Sequence, residues 1–501
     1  MYWYNENTKI FMSRGYLEPG QTIEEKIKDI GDHSESILNI KGFSEKVQEY
    51  IKSGYYVAST PFWKNFNAKS KESPISCFGI YVDDSVEDIL SGATEIGMQS
   101  KAGGGTSGYL GAVRPRGSHI SNGGVSNGSV SMLEIFQTVS DVISQPNRRG
   151  HFSATLDIDH GDIDEYLKIR TEGHKIQNIS TAVSISDDFI AKLLSGDKQS
   201  IEIMRKVIKS KFETGFPYIF FKDNVNNNTV DVYKDNKLEI HHSNMCTEIA
   251  LPNSVDESFV CNIFGLNLEK IDEILEKEDV IRTAIFLMDS MMTDFINKNK
   301  GKPYFEKSVR FAERHRAMGL GASGWHSYLQ SKMIPFESFE AKTENVRIFK
   351  EIKRQAYLAS EKMFNLFGAS KLMEPYKRRH STLLAIAPNT SSSFIINQQS
   401  QSVEPYTDNY YIKDVAKLRI PVKNKYLKEV LKSYNKDNKE IWDSILRKRG
   451  SVQHLKFLTE EELNVFKTFS EISQKEVIIQ ASARQKFIDQ SQSLNLMISD
   501  N

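Results

Sequence analysis

Three side chains of different chemistry occupy alternate positions in the stretch SNMCTEIALP, which spans residues 243–252. Asn244, Cys246 and Glu248 are an amide, a thiol and a carboxylate, and alternation would place them on one face of an extended segment. A carboxylate in such a group is suited to accept a proton, and the amide can position a ligand. Because a buried cysteine alone is usually a small apolar residue, the pattern needs support from the rest of the chain.

The cysteine content is low and odd in number, with Cys77, Cys246 and Cys261 as the only members. This set does not suit a secreted disulfide scaffold, so any role of the cysteines should be chemical. His241 and His242 lie near Cys246, but no C-x-x-C pair or second ligand cluster accompanies them. We therefore expect no metal site, and we expect both histidines to be partly exposed polar residues.

Two further motifs could bind phosphate groups. GLGASG at 319–324 matches the dinucleotide pattern formally, but the preceding RFAERHRAM is not an apolar strand, which favours a tightly packed helix start. PNTSSS at 388–393 follows the predicted strand STLLAIA and is rich in residues that begin helices. Its backbone N–H groups could hold a diphosphate, although any well-capped strand-to-helix turn would have such a sequence.

Several segments together resemble the large subunit of class I ribonucleotide reductase, in order and in spacing. They are STPFWKN, ISCFGIYVDDS, SNMCTEIALP, VCNIFGLNL, APNTSSSFI, NKYLKEVLKS and FIDQSQSLNL. The resemblance implies that Cys246 forms a thiyl radical that takes the 3′ hydrogen of the ribose. It implies that Glu248 is the general base, that Asn244 binds the sugar, and that Cys77 and Cys261 supply two reducing equivalents by closing a disulfide.

The same resemblance implies nucleotide contacts elsewhere in the chain. The expected substrate contacts, besides Asn244, are Thr60, Ser76, Gly103, Pro388, Asn389, Thr390, Ser391 and Ser392. Asp84 and Arg114 resemble positions that bind a deoxynucleotide or ATP effector, with the carboxylate on the ribose and the guanidinium on phosphate. The loop at 168–180 resembles the segment that couples the effector to the choice of substrate.

The predicted fold class is α/β. Residues 1–70 read as a small helical N-terminal region, because apolar positions recur at helical spacing between glycine and proline. Residues 71–501 alternate short β-rich runs with helices, including helices near 272–296 and 342–366. The resemblance implies the ten-stranded barrel of the family, incomplete at its C-terminal end. The glycine-dense segment 101–129 should approach a ligand or form a mobile surface loop.

Composition excludes some classes of partner. Lys+Arg and Asp+Glu both number 65, so no net field would attract nucleic acid or an anionic membrane. The first residues lack a basic stretch followed by an apolar one, and no run of about 18 apolar residues occurs. We expect a cytoplasmic enzyme without nucleic-acid or membrane partners and without a directly bound cofactor.

The resemblance also implies partners and missing parts. A metal-containing small subunit would supply the radical, a second copy would form a homodimer, and thioredoxin or glutaredoxin would reduce the disulfide. We expect no N-terminal ATP-binding cone, and the sequence stops before the family's relay tyrosines, which predicts a separate C-terminal fragment of the large subunit. Tyr410 and Tyr411 are adjacent, but they lie in the wrong surroundings for that relay.

Two other functions fit some of these features. A cobalamin-dependent ribonucleotide reductase uses the same three cysteines, one for the radical and two as reductant, and needs no relay tyrosines. Segment 403–450 nevertheless fits class I better. A non-catalytic nucleotide-binding remnant is a rival from another class. The presence of Cys77, Cys246, Cys261 and Glu248 argues against that remnant.

Overall fold

The strands of the computed structural model, which describes residues 1–13, 15–121, 123–143, 150–415 and 418–497, form one large sheet and one hairpin. They are β1 (Tyr56–Ala58), β2 (Cys77–Tyr81), β3 (Gly105–Tyr109), β4 (Phe152–Asp157), β5 (Ser180–Ile185), β6 (Tyr218–Phe221), β7 (Phe259–Asn267), β8 (Met318–Ser323), β9 (Tyr410–Val415) and β10 (Leu418–Lys423). The large sheet has eight strands, and β9 pairs with β10.

Helices follow or precede nearly every strand. They are α1 (Glu6–Met12), α2 (Ile23–Leu38), α3 (Phe43–Lys52), α4 (Thr60–Asn65), α5 (Val86–Lys101), α6 (Gly128–Val142), α7 (Ile163–Tyr166), α8 (Asp187–Leu194), α9 (Lys198–Thr214), α10 (Lys222–Asn228), α11 (Asp231–Asp235), α12 (Ile271–Glu276), α13 (Val280–Asn299), α14 (Glu306–His315), α15 (Trp325–Ser331), α16 (Phe339–Phe367), α17 (Thr390–Ile395), α18 (Lys425–Ser433), α19 (Lys439–Arg447), α20 (Glu460–Val465) and α21 (Gln474–Gln485). Short 3₁₀ turns occur at Leu268–Lys270, Glu374–Tyr376 and Phe469–Glu471.

The strand direction of the sheet changes where β2 pairs with β7. Strands β2 to β6 are parallel neighbours in chain order, whereas β7 is antiparallel to β2 and parallel to β8. All nine residues of β7 are buried, as expected for a strand covered on both faces. The α/β prediction is confirmed, and the sheet is curled into a half-barrel.

Beyond β8, single bridges extend the sheet instead of full strands. Leu320 bridges Leu384, and Ile386 bridges Gln492, both in parallel. The predicted strand STLLAIA is therefore reduced to isolated bridges. Two segments, 382–387 and 490–493, continue the curvature of the sheet and bring the end of the described chain next to β8.

The N-terminal region is mostly helical, as predicted, but it also contributes β1 to the large sheet. Tyr56 pairs with Leu266 of β7, so the region is joined to the sheet by backbone hydrogen bonds. Its apolar core is continuous with that of the barrel, since Trp3 and Ile27 belong to the same buried cluster as Phe264. The proposed boundary at residue 70 stays a prediction.

Two local predictions are wrong. GLGASG forms most of β8 instead of a helix start, and a side chain at Gly321 would lie 2.5 Å from the Ala385 oxygen. The single helix expected at 272–296 is two helices, α12 and α13.

The glycine-dense segment 101–129 contains a central strand of the sheet, Gly105–Tyr109, so the alternative of a surface loop does not hold for all of it. Its approach to a ligand stays a prediction, and Asn122 lies outside the described residues.

A buried ionic cluster ties the starts of two barrel segments to α13. The Oδ1 atom of Asp289 accepts hydrogen bonds from Arg316 Nε at 2.6 Å, Arg379 Nε at 3.0 Å and His380 Nε2 at 3.0 Å. These donors hold the pKa of the Asp289 carboxyl well below its usual range, against the opposing effect of burial. Arg316 precedes β8 and His380 precedes 382–387, so one carboxylate fixes where both segments begin.

Among the described residues, none of the helices combines the length and the apolar character that a bilayer crossing needs.

Candidate active site

Two of the cysteines face each other where β2 pairs with β7. Cys77 at the start of β2 and Cys261 in β7 are directly opposed in the antiparallel register. Opposed residues in such a ladder have Cα atoms about 4.5–5.5 Å apart, which is within the span of a disulfide. Both residues are thiols in the structure. The sheet thus unites two residues that lie far apart in sequence, as the predicted reductant pair requires.

The two thiols have different surroundings. Cys77 is partly exposed and accepts a hydrogen bond from Asn244 Nδ2 at 3.3 Å. Cys261 is buried, and burial raises the pKa of its thiol to about 12, while a hydrogen bond from Gln490 opposes that rise. The partly exposed thiol is therefore the one that solvent or substrate reaches first, with the buried thiol behind it.

The segment that carries Cys246 is a tight loop, which we call the Cys246 loop (residues 243–250). Ser243 and Ala250 form an antiparallel bridge, and Asn244 N donates to Ile249 O at 3.0 Å. Thr247 has a φ of +71°, in the left-handed region. The expected extended segment with three side chains on one face is therefore wrong, because the chain reverses direction between Asn244 and Ile249.

The loop nevertheless brings Asn244 and Glu248 together. The Asn244 side chain accepts from Ile249 N at 3.0 Å through Oδ1 and reaches Cys77 through Nδ2. Glu248 is buried, and burial raises the pKa of its carboxyl to about 7, against the opposing effects of hydrogen bonds with its own backbone and Asn244. Its Oε2 atom has no hydrogen-bond partner among the described residues. A carboxyl poised near neutral pH is suited to take up and release a proton.

Cys246 lies at the turn of this loop and is partly exposed. Tyr218 of β6 is close enough to interact with it, since the pKa of Tyr218 is raised by burial and further by Cys246. Sequence reasoning did not single out Tyr218. Its only signal was its place in the predicted strand PYIFFKD.

The predicted phosphate turn begins α17. Asn389 has a φ of +53° and donates from Nδ2 to Ala322 O at 3.3 Å, which anchors the turn to the end of β8. The N–H groups of Thr390, Ser391 and Ser392 belong to the first helical turn and have no intrahelical acceptors. Pro388 directly precedes this turn. The arrangement leaves backbone donors available to an anionic group.

Other expected substrate contacts lie at neighbouring strand and helix ends. Thr60 begins α4, and its hydroxyl is 3.1 Å from the hydroxyl of Tyr16. Ser76 precedes Cys77 and its Oγ lies 3.4 Å from Ser59 Oγ. Gly103, with a φ of +89°, lies in the turn before β3. Their contacts with substrate stay predictions.

Asp84 and Arg114 are brought together, as expected for a shared site. Arg114 donates from Nε to Asp84 Oδ2 at 2.5 Å and from its backbone N to Asp84 Oδ1 at 3.0 Å. The Arg114 guanidinium also reaches His119 O at 2.8 Å. In this structure the two side chains form an ion pair that also anchors the loop after β3. Effector binding by the two residues stays a prediction.

The prediction that both histidines are partly exposed is wrong for His242 and confirmed for His241. His242 is fully buried, accepts a hydrogen bond from Asn253 Nδ2 at 2.8 Å, and has its pKa lowered to about 3 by burial. His241 is partly buried and stacks on Tyr109. Within the described ranges, no group of three or more His, Cys, Asp or Glu side chains could hold a metal ion.

Two opposed thiols in a curled α/β half-barrel, with a third thiol on the Cys246 loop, are an arrangement suited to dithiol redox chemistry. The sequence model of the family described as "Ribonucleotide reductase, barrel domain" matches residues 75–204, 198–378 and 368–501. The chain belongs to the ribonucleotide reductase family and contains the barrel domain of its large subunit.

Individual relatives agree with this assignment. A ribonucleoside-diphosphate reductase large-subunit sequence of Frog virus 3 is 32% identical over 477 residues, which cover 90% of this chain and 82% of that protein. The ribonucleoside-diphosphate reductase large subunit of Invertebrate iridescent virus 3 is 29% identical, and the match covers 90% of this chain and 82% of that protein. The class Id alpha subunit of Actinobacillus ureae superposes with a TM-score of 0.93 at 46% identity, covering 99% of this chain and 92% of that chain.

The raised pKa of Glu248 predicts how stability varies with pH. Because the folded protein favours the neutral carboxyl, the contribution of Glu248 to the free energy of unfolding should be highest below the ordinary pKa of 4.5 and fall as the pH rises to about 7. Glu248→Gln should abolish this fall, which is about 3 kcal/mol for such a shift. Urea unfolding at pH 5 and pH 8 measures it, with Glu213→Gln on the exposed side of α9 as control. Identical pH dependence in wild type and Glu248→Gln would contradict the assignment.

Proposed function

We propose that Cys246, Glu248 and the Cys77–Cys261 pair carry out ribonucleoside-diphosphate reduction in this chain. The observation that carries the proposal is the direct opposition of Cys77 and Cys261 in the sheet, beside a loop that holds a third thiol and a buried carboxyl. The relatives are named as large subunits of ribonucleoside-diphosphate reductase, which agrees with these roles.

The chemistry follows from the roles of the side chains. A thiyl radical on Cys246 takes the 3′ hydrogen of the ribose, and Glu248 accepts the proton of the 3′ hydroxyl. The 2′ hydroxyl then leaves as water. Two hydrogens come from the thiols of Cys77 and Cys261, one into the water and one to the 2′ carbon, while a disulfide bond forms between the two sulfurs. Cys246 then returns the hydrogen to the 3′ carbon, which regenerates its thiyl radical, and Glu248 returns the proton to the 3′ oxygen. Asn244 positions the sugar and holds Cys77 through its amide.

Substrate phosphates bind at the start of α17 in this proposal. The first-turn N–H groups of Thr390, Ser391 and Ser392 attract an anion because no intrahelical acceptor takes them. Asn389 in the left-handed conformation makes the turn that exposes them. Thr60 and Ser76 complete the substrate contacts from the neighbouring helix and strand ends.

The partners follow from the class I relationship. Class I alpha subunits receive their radical from a beta subunit and form dimers. A surface that fits a second copy is the pair α5 and α6, which exposes Val86, Leu90, Ile135 and Val142. Thioredoxin or glutaredoxin as reductant and dNTP or ATP effectors are further proposals. The likeness to a class Id alpha subunit favours class I over the cobalamin-dependent alternative.

The radical role of Cys246 predicts a complete loss of activity in Cys246→Ser. A hydroxyl cannot host the radical at comparable energy, so the variant reconstituted with all its partner chains should form no dCDP from CDP above background. Effector binding, measured by isothermal titration, should persist because Asp84 and Arg114 follow the C-terminal ends of β2 and β3, whereas Cys77 begins β2. Turnover of Cys246→Ser at the wild-type rate would refute the assignment.

The effector role of Arg114 predicts weaker nucleotide binding in Arg114→Ala. Loss of a charge-assisted contact to phosphate should raise the dissociation constant for dTTP or dGTP about tenfold or more, with normal substrate chemistry at saturating effector. Arg205→Ala, which removes an exposed ion pair with Glu202 on α9, is the matched control. Equal effector affinity in wild type and Arg114→Ala would place the site elsewhere.

A further inference from the structure

Gln490 contacts the buried reductant thiol and three other segments of the barrel. It lies in FIDQSQSLNL, a stretch with no role assigned above, and its side chain is almost fully buried. Its Nε2 atom lies 3.6 Å from Cys261 Sγ in β7, 2.8 Å from Met318 O in β8 and 3.1 Å from Thr382 Oγ1. Its Oε1 atom accepts from Ala250 N of the Cys246 loop at 3.1 Å.

The hydrogens of this amide can be assigned from its neighbours. The Met318 oxygen, at 2.8 Å, takes one of the two Nε2 hydrogens. The Thr382 hydroxyl donates its own hydrogen to Met318 O at 3.1 Å. The second Nε2 hydrogen therefore points toward Cys261 Sγ and Thr382 Oγ1, and the other hydrogen bond of Cys261, to Asn262 O, is long at 3.9 Å.

We propose that Gln490 is a positioning residue for Cys261, which holds the sulfur toward Cys77 and hydrogen-bonds it as it loses its hydrogen. The proposal rests on the proposed function, because it concerns the step in which the two thiols become a disulfide. In that step both S–H bonds break and one S–S bond forms. A buried sulfur has no water to stabilise negative charge, so a fixed N–H donor is the available substitute.

The same residue links the thiol pair to the Cys246 loop. Ala250 closes that loop by its bridge to Ser243, and the neighbouring Ser491 N donates to Glu248 O at 2.9 Å. Residues 490 and 491 therefore hold both the reductant thiol and the loop that carries the radical cysteine. One amide side chain fixes the relative position of the two redox groups.

The test measures disulfide closure in the chain without substrate or small subunit. The reduced chain is mixed with bis(2-hydroxyethyl) disulfide, and quenched samples are analysed by mass spectrometry. Cys77 first forms a mixed disulfide with release of one small thiol. Cys261 then attacks the Cys77 sulfur, forms the protein disulfide and releases the second small thiol. Cys261→Ser stops the reaction after the first step, so the variant identifies the mixed disulfide formed at Cys77.

Gln490→Met keeps the side-chain length and removes both amide groups. We expect the first step to be unchanged and closure at pH 8 to slow about three- to tenfold, because the thiolate fraction of Cys261 falls. Gln490→Glu keeps the shape and the acceptor to Ala250 but places a carboxyl against the sulfur, and it should slow closure as well. Gln492→Met is the matched control, since Gln492 bonds Ala481 O and Arg484 instead of a cysteine.

Two results would overturn the proposal. One is closure by Gln490→Met within twofold of the wild-type rate. The other is equal slowing in Gln492→Met at equal loss of unfolding free energy, which would make the effect one of stability alone. In the enzyme reconstituted with all its partner chains, Gln490→Met should lower kcat and leave the KM for CDP unchanged. An inactive wild type there would reject the proposed function, whereas the closure rates would still decide the role of Gln490.

Discussion

The pairing register of β2 with β7 is the constraint on which the site depends. Side chains alternate between faces along a strand, so a slip of one residue would move a thiol to the opposite face of the sheet. Two glycines make room for aromatic rings beside this ladder. Gly79 is opposite Phe259 in the β2–β7 register, and a Cβ at Gly79 would be 2.1 Å from the Phe259 ring. Gly104 precedes β3, and a Cβ there would be 2.2 Å from the ring of Phe78 in β2. A larger residue at either position would therefore displace one of these rings.

A second level of support comes from the segments that follow β8. Asp289 fixes the start of β8 and of 382–387, and the far ends of these segments carry Ala322 and the phosphate turn. Gln490 then joins β7, β8 and the Cys246 loop. The loop itself is irregular, and its geometry depends on these surrounding contacts instead of on a regular hydrogen-bond ladder.

Much of the fold could be predicted from the sequence because its elements have clear periodicity. The alternation of β2, α5, β4, α7 and β5 was visible, and so was the amphipathic α16. The role of the cysteines came from resemblance, since spacing alone could not pair Cys77 with Cys261. The Cys246 loop was predicted wrongly because an alternating pattern of side chains does not distinguish a strand from a turn. The positive φ of Thr247 could not be predicted either, since no glycine marks that position. Gln490 was missed because a buried glutamine has no sequence signature, and the burial of His242 depends on tertiary packing.

The central claim is that Cys77 and Cys261 are the dithiol consumed in each reduction. The most direct measurement is peptide mapping after a single turnover of the prereduced enzyme with CDP, effector and all its partner chains, in the absence of external reductant. The account predicts one Cys77–Cys261 disulfide for each dCDP formed, with Cys246 still a thiol. Formation of dCDP with both Cys77 and Cys261 still reduced, or with Cys246 in the disulfide, would contradict it.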